Sequence, residues 1–279
     1  MEPGDFTRIR TNVQATQLLT TLRQVNTHLA THQLRLATGA RINSAADDPA
    51  GLTMATKLNA QYRVYSTLAD NAGQAKNLLA VAEGALLEIN EMLTTMSEEI
   101  TSAASDTLGD EERAAVTQTL IDTLAEIDET VEEVTFNGTA LLGGVETFTF
   151  QVGTRSQLSW TTSAFDASSL GLTEAAALSE DDRIDSSNYE TYAAEVEAAR
   201  SVVSSGLNEI GSLINRLTVK ENVLSVMQTN TEAAYNRIYS ADSAEELIEV
   251  TKYQILQESV LSVLSQAVYN TQAVLSLFD

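Results

Sequence analysis

Few side chains in this chain could do chemistry. There are two histidines, His28 and His32, four residues apart, and no cysteine. An i, i+4 pair shares one helix face and could hold a metal ion. The acid of the His-Glu-x-x-His pattern is absent, however, and no thiolate can complete a ligand set. His32 also falls in an apolar seam, which makes a structural role the simpler assignment. The paired acids Asp47-Asp48 and Asp181-Asp182 lie in polar stretches, where carboxylates cap helices and close turns. Gly143-Gly144 lacks the Lys-Ser/Thr of a phosphate-cradling loop, and no Gly-x-Ser-x-Gly nucleophile elbow occurs. No catalytic constellation emerges, so neither an enzyme activity nor a cofactor is expected.

Charge narrows the partners. The net charge is −23, and residues 83–135 hold fifteen acids against one base, Arg113. Nucleic acid and anionic membranes are unfavourable partners for such a surface, which reads as a solvated helix face. The first forty-five residues differ, with five arginines against Glu2 and Asp5. No apolar run follows the charges of MEPGDFTRIRTN, so a cleaved secretion signal is not expected.

The elements that position these residues are helical. Ser259 to Phe278 carries no charge, and two apolar seams run along it. Val260, Val263, Ala267, Asn270, Val274 and Leu277 repeat at steps of three and four. Leu261, Leu264, Val268, Thr271, Leu275 and Phe278 do so one position later. One such seam serves one coiled-coil partner, and two seams imply partners on two sides. The segment should order only where other helices cover it. Ser, Gln, Asn and Thr fill eight of its positions, too many for membrane insertion.

At the other end, Ala15, Leu18, Leu22, Val25, Leu29, His32 and Leu36 form a matching heptad seam. Thr38-Gly39 stops that helix, and Arg41 to Gly51 forms a loop that restarts one. Asp47 or Asp48 can cap the new helix, and Pro49 suits its first turn. A long helix is expected to about Ser105, with Gly73 and Gly84 marking close packing against a neighbour. A turn at Leu108-Gly109-Asp110 leads to a second helix ending near Val134. Phe136-Asn137-Gly138 is a turn. Thr147 to Val152 and Gln157 to Trp160 read as a hairpin, followed by about thirty polar, irregular residues. Helix returns from Tyr189 to Tyr239, and a last helix begins near Ala244.

The fold class is therefore mainly α: long antiparallel helices, coiled-coil terminal helices and a small β-hairpin region. Residues 1–42 and 241–279 are the two halves of an inner coiled-coil domain. Residues 43–240 are a long-helix core domain with its insert near 140–187.

Several stretches resemble one family. Arg35-Leu-Ala-Thr-Gly39 and Arg41-Ile-Asn-Ser-Ala-Ala-Asp-Asp-Pro-Ala-Gly-Leu52 are similar to the N-terminal signature of bacterial flagellin, and Arg8-Ile-Arg-Thr-Asn12 to its opening. Asn215-Arg-Leu217, Asn236-Arg-Ile238, Ala241-Asp242 with Glu245, Gln254-Ile-Leu256 and Val274-Leu-Ser-Leu277 resemble its C-terminal pattern, in order. Phe150-Gln-Val-Gly153 resembles the start of its hairpin. The hook–filament junction proteins share both ends, and the Ala45-Ala-Asp-Asp-Pro49 form of the loop favours flagellin.

The resemblance implies a homopolymer, the helical filament that bacteria rotate for motility. It implies type III export to the cell exterior, an export chaperone on the C-terminal segment, a filament cap and hook-junction partners. The expected assembly residues are Leu18, Leu22, Val25, Leu29, Leu36, Val260, Leu261, Leu264, Val268, Leu275 and Phe278. Arg41, Asn43, Asp47, Asp48 and Pro49 form the signature loop. An aspartate at Leu264 is expected to leave a soluble monomer that does not polymerise.

Overall fold

The computed structural model describes residues 12–105, 107–179, 182–185 and 187–275, with side chains as far as Asn270. The helices are α1 (Val13–Thr38), α2 (Pro49–Ala103), α3 (Asp110–Glu133), α4 (Thr173–Ala176), α5 (Tyr189–Tyr239) and α6 (Ser243–Leu275). Between α3 and α4 lie two antiparallel pairs, β1 (Thr135–Phe136) with β2 (Thr139–Ala140), and β3 (Thr147–Gln151) with β4 (Gln157–Thr161). The chain divides into two compact units: residues 1–62 with 229–279, and residues 63–228.

In the unit of residues 63–228, helix spacing builds the core. On α2 the buried residues Ala72, Ala75, Leu79, Ala82, Leu86, Ile89, Leu93, Met96, Ile100 and Ala103 alternate steps of three and four. That period keeps one seam facing its partners over the whole length. On α5, Val196, Ala199, Val203, Ile210, Leu213 and Leu217 follow the same rhythm, with Gly206 in the missing place. Leu120, Leu124, Ile127 and Val131 of α3 join the same core.

Asn137 and Gly138 turn between β1 and β2 with φ of 52° and 81°, which suits the two-residue turn matching strand twist. In the second hairpin Phe148 pairs with Trp160 and Phe150 with Leu158, and the Phe148 and Trp160 rings stack at 5.9 Å.

Two sequence expectations need correction. Gly73 and Gly84 would meet nothing within 4 Å if they carried a Cβ, so neither marks close packing within the subunit. A helix glycine that does is Gly206, where a Cβ would lie 2.8 Å from Phe165 Cζ. The apolar residues Val81, Val223 and Met227 are exposed. The polar stretch after β4 is irregular but packed, and it sends Phe165, Leu170, Leu172 and Ile184 into the core. Polar anchors hold it: Phe165 N donates to Leu142 O at 3.0 Å, and Ala167 N to Asp128 Oδ1 at 2.8 Å.

Candidate functional site

In the unit of residues 1–62 and 229–279, α1 and α6 run antiparallel. Asn12 Nδ2 donates to Ala267 O at 3.1 Å, and Gln257 Nε2 to Asn26 Oδ1 at 2.8 Å. Ala40 bridges to Ser240 at the opposite end. Along α1 the predicted seam is the covered face: Val25 and Leu29 are buried, and Ala15, Leu18, Leu22, His32 and Leu36 are half-buried. Along α6 the covered positions are Glu246, Val250, Tyr253, Gln257, Val260, Leu264 and Ala267. They repeat at steps of four and three, so one coiled-coil stripe serves α1.

That stripe takes Val260 and Ala267 from one of the two seams read in the sequence and Leu264 from the other. Leu261 and Val268 remain 46% and 47% exposed on one flank of the covered stripe, and Val263 is exposed on the other. Leu247, Ile248 and Ile255 are exposed nearer the start of α6. The backbone of Leu275 is described but not its side chain. Leu277, Phe278, Arg8 to Thr11 and Asp181 lie outside the described residues.

His32 belongs to the same seam, and the exposed His28 lies at its edge. His28 and His32 stack against Tyr253, with ring centroids 5.2 and 5.3 Å away. His32 Nδ1 lies 2.6 Å from Glu246 Oε2, and Arg35 reaches the other carboxylate oxygen at 3.7 Å. Glu246 is only 8% exposed, so the contacts with His32 and Arg35 replace the water it loses. Among the described residues no group of three His, Cys, Asp or Glu could hold a metal ion. Nor, among them, is any helix long and apolar enough to cross a membrane.

The signature loop works as a clasp between helix ends. Gly39 closes α1 in the left-handed region, φ 65°, where glycine carries no Cβ penalty. The Arg41 guanidinium donates to Ile238 O through Nε at 3.1 Å and a terminal nitrogen at 2.7 Å. Its backbone N–H donates to Tyr239 O, also at 2.7 Å. These carbonyls end α5 and lack helical partners, and a cation there also suits the helix dipole. Asn43 Nδ2 donates to Ala40 O at 2.8 Å.

The two aspartates divide their work. Asp48 Oδ1 accepts from Gly51 N at 2.8 Å and caps α2, with Pro49 in the first turn. Asp47 Oδ2 folds back to accept from Asn43 N and Ser44 N at 3.0 and 2.7 Å. Those backbone bonds, Ser44 foremost, hold the Asp47 carboxyl below its ordinary value of 3.8. Both roles are structural, and the residues act by fixing where α1 stops and α2 starts.

Among the described residues no catalytic constellation is assembled; two terminal helices are held together with apolar surface left over. Comparisons with known proteins agree. Residues 9–147 match the bacterial flagellin N-terminal helical region, and residues 193–278 the bacterial flagellin C-terminal helical region. A flagellin of Bacillus subtilis (strain 168) is 32% identical over 97% of this chain and 99% of its own length. One from Halalkalibacterium halodurans is 31% identical over 87% and 89%. A solved structure described as a flagellar hook-associated protein of Vibrio parahaemolyticus has a TM-score of 0.60, covering 70% of this chain and all of that one. Its identity is 15%, a likeness of fold alone. The chain therefore belongs to the bacterial flagellins, the structural subunits of the extracellular flagellar filament.

Proposed function

We propose that the apolar surface of α6 not covered by α1 is the surface through which one subunit joins the next. The observation that carries this reading is the set of aliphatic side chains left exposed on both flanks of α6 after α1 has taken its seam. Several aliphatic side chains at near half exposure on one helix are costly in water and mark a surface meant to be covered. In this reading Leu261 and Val268 make the contact between copies. Leu18, Leu22, Val25, Leu29 and Leu36, with Val260 and Leu264 opposite, hold α6 in the orientation that presents them. Leu275 and Phe278 are further assembly residues in the same reading, by their place in the sequence pattern. The same apolar surface is what an export chaperone would shield before secretion by the flagellar route. Cap and hook-junction proteins complete the reading at the two ends of the filament.

The test places a charge on the outward face alone. Leu261→Asp should leave the monomer's helical circular dichroism unchanged and raise the critical concentration for seeded filament growth at least tenfold, as seen by electron microscopy. An ionised carboxylate buried without a partner is strongly unfavourable. Normal filaments from that variant at the wild-type concentration would overturn the proposal.

A further inference from the structure

Residues 63–228 carry twenty-eight acids against eight bases, nearly all of the chain's net −23. Most bases there are engaged within the subunit. Lys76 pairs with Glu221 at 2.8 Å, Arg200 with Glu197 at 3.0 Å, and Arg113 is buried on backbone carbonyls. Arg155, Arg216 and Lys220 make no hydrogen bond or ion pair with any described residue, and all three are exposed. They lie together. Arg155 in the β3–β4 turn and Lys220 of α5 line one groove of about 300 Å3, and Arg216 and Lys220 line the adjoining surface of α5. Val219, Val223 and Met227 add exposed apolar surface along the same edge.

The complementary surface is on α3. Glu111, Asp122, Glu126, Glu129 and Glu133 are exposed and fall within about 60° of one another around the helix at 3.6 residues per turn. The buried residues Leu120, Leu124, Ile127 and Val131 occupy the opposite side. Asp122 with Glu126, and Glu129 with Glu133, are like charges four residues apart, an arrangement that weakens an isolated helix. The one base of α3, Arg113, is buried away from this stripe. Exposed Ala115 and Ala125 sit among the acids and leave room for close approach. From Asp122 to Glu133 the stripe is about 16 Å long, the same axial length as Arg216 to Met227.

We infer that the Arg155–Arg216–Lys220 edge of one subunit receives the acidic α3 stripe of a second copy, an inference that rests on the assembly reading above. The two surfaces lie on different elements of the same unit, so the contact is head-to-tail. A contact of that kind leaves the basic edge free at one end and the acidic stripe free at the other, and it propagates rather than closing into a dimer. The charges set register and partner orientation, and the apolar residues beside them supply the burial.

Charge reversal with rescue tests this in seeded growth at about 0.1 M salt, where the screening length is about 10 Å. Arg155→Glu with Lys220→Glu should raise the critical concentration at least tenfold. Glu126→Lys with Glu129→Lys should do the same, although it lowers the net charge and would ease assembly if bulk repulsion alone mattered. The four changes together should return growth to within about twofold of wild type. Circular dichroism melts of each monomer keep a folding defect from passing as an assembly defect. Easier growth of the Glu126→Lys/Glu129→Lys variant, or wild-type growth of the Arg155→Glu/Lys220→Glu variant, would mean that the stripe is a solvated face only, and the inference would fall. Absence of filaments from the unmodified chain would instead speak against the assembly reading itself.

Discussion

Arg113 is a charged residue in a core position, and its surroundings explain why it is tolerated there. Its guanidinium donates to Ala103 O and Ser105 O, each at 2.8 Å, to Leu108 O at 3.3 Å and to Ile184 O at 3.2 Å. Ala103 ends α2 and Ser105 lies just past it, where helix acceptors lack helical partners and the dipole favours a cation. One side chain thus caps a 55-residue helix and ties the 184 segment to it. Arg113→Met keeps the stem volume and removes the donors to these carbonyls. We expect a loss of about 3 kcal/mol, from hydrogen bonds to a charged group worth roughly 1.5–3 kcal/mol each before water compensates. A lower urea midpoint at unchanged slope would register it. At Asp47 the effect depends on pH. Its folded value is depressed, so its contribution is complete above the ordinary 3.8 and is lost as pH falls through the lower folded value. Amide exchange at Asn43 and Ser44 should accelerate over that acidic window, and Asp47→Asn should flatten the dependence.

At the scale of elements, helix glycines divide by what stands beside them. At Gly206 a Cβ would come within 2.8 Å of Phe165 Cζ and 3.3 Å of Leu86 Cδ1. Gly206→Ala gains up to about 1 kcal/mol of helix propensity but overpacks a filled seam at a cost of roughly 1–3 kcal/mol. A lower melting temperature is the expected balance. Gly84→Ala has the propensity gain without the clash, since nothing lies within 4 Å. It should raise the melting temperature of the monomer. Measured side by side, the two variants separate packing from propensity, and equal shifts would count against the packing account.

At the scale of the whole molecule, the faces of α6 differ in what covers them. Leu264 is half-buried against α1, whereas Leu261 is exposed. Leu264→Asp should therefore act before assembly. It unpairs α1 from α6, accelerates hydrogen exchange along both helices and blocks filaments as a consequence. Leu261→Asp should leave exchange in the monomer unchanged and block filaments directly. Identical monomer exchange in the two variants would contradict this division. Acidic charge is likewise organised rather than spread evenly. It concentrates in residues 63–228, and the terminal helices that carry the apolar faces belong to the other unit.

Much of this was legible in the residues themselves. Heptad steps marked α1, Gly39 and Pro49 marked helix ends, and alternation from Thr147 marked the hairpin, because each is a local preference that tertiary packing here reinforces. The signature blocks likewise sufficed to identify the family. Helix rotation was not legible. Two seams on α6 offered equivalent apolar stripes, and only the position of α1 selected Val260, Leu264 and Ala267. Nor could the sequence assign Arg113, which stood out only as a lone base among acids. Its partners are carbonyls, and every residue carries one. The segment after β4 was opaque for the same reason: its anchors are backbone groups held by distant side chains, among them Asp128, Glu195 and Arg113, which leave no periodicity to read. The sequence by itself determined where helices form and what the chain is, since those rest on local spacing and motif. Only the tertiary structure decided which faces are covered within the subunit and which are left exposed, since that depends on which surfaces meet.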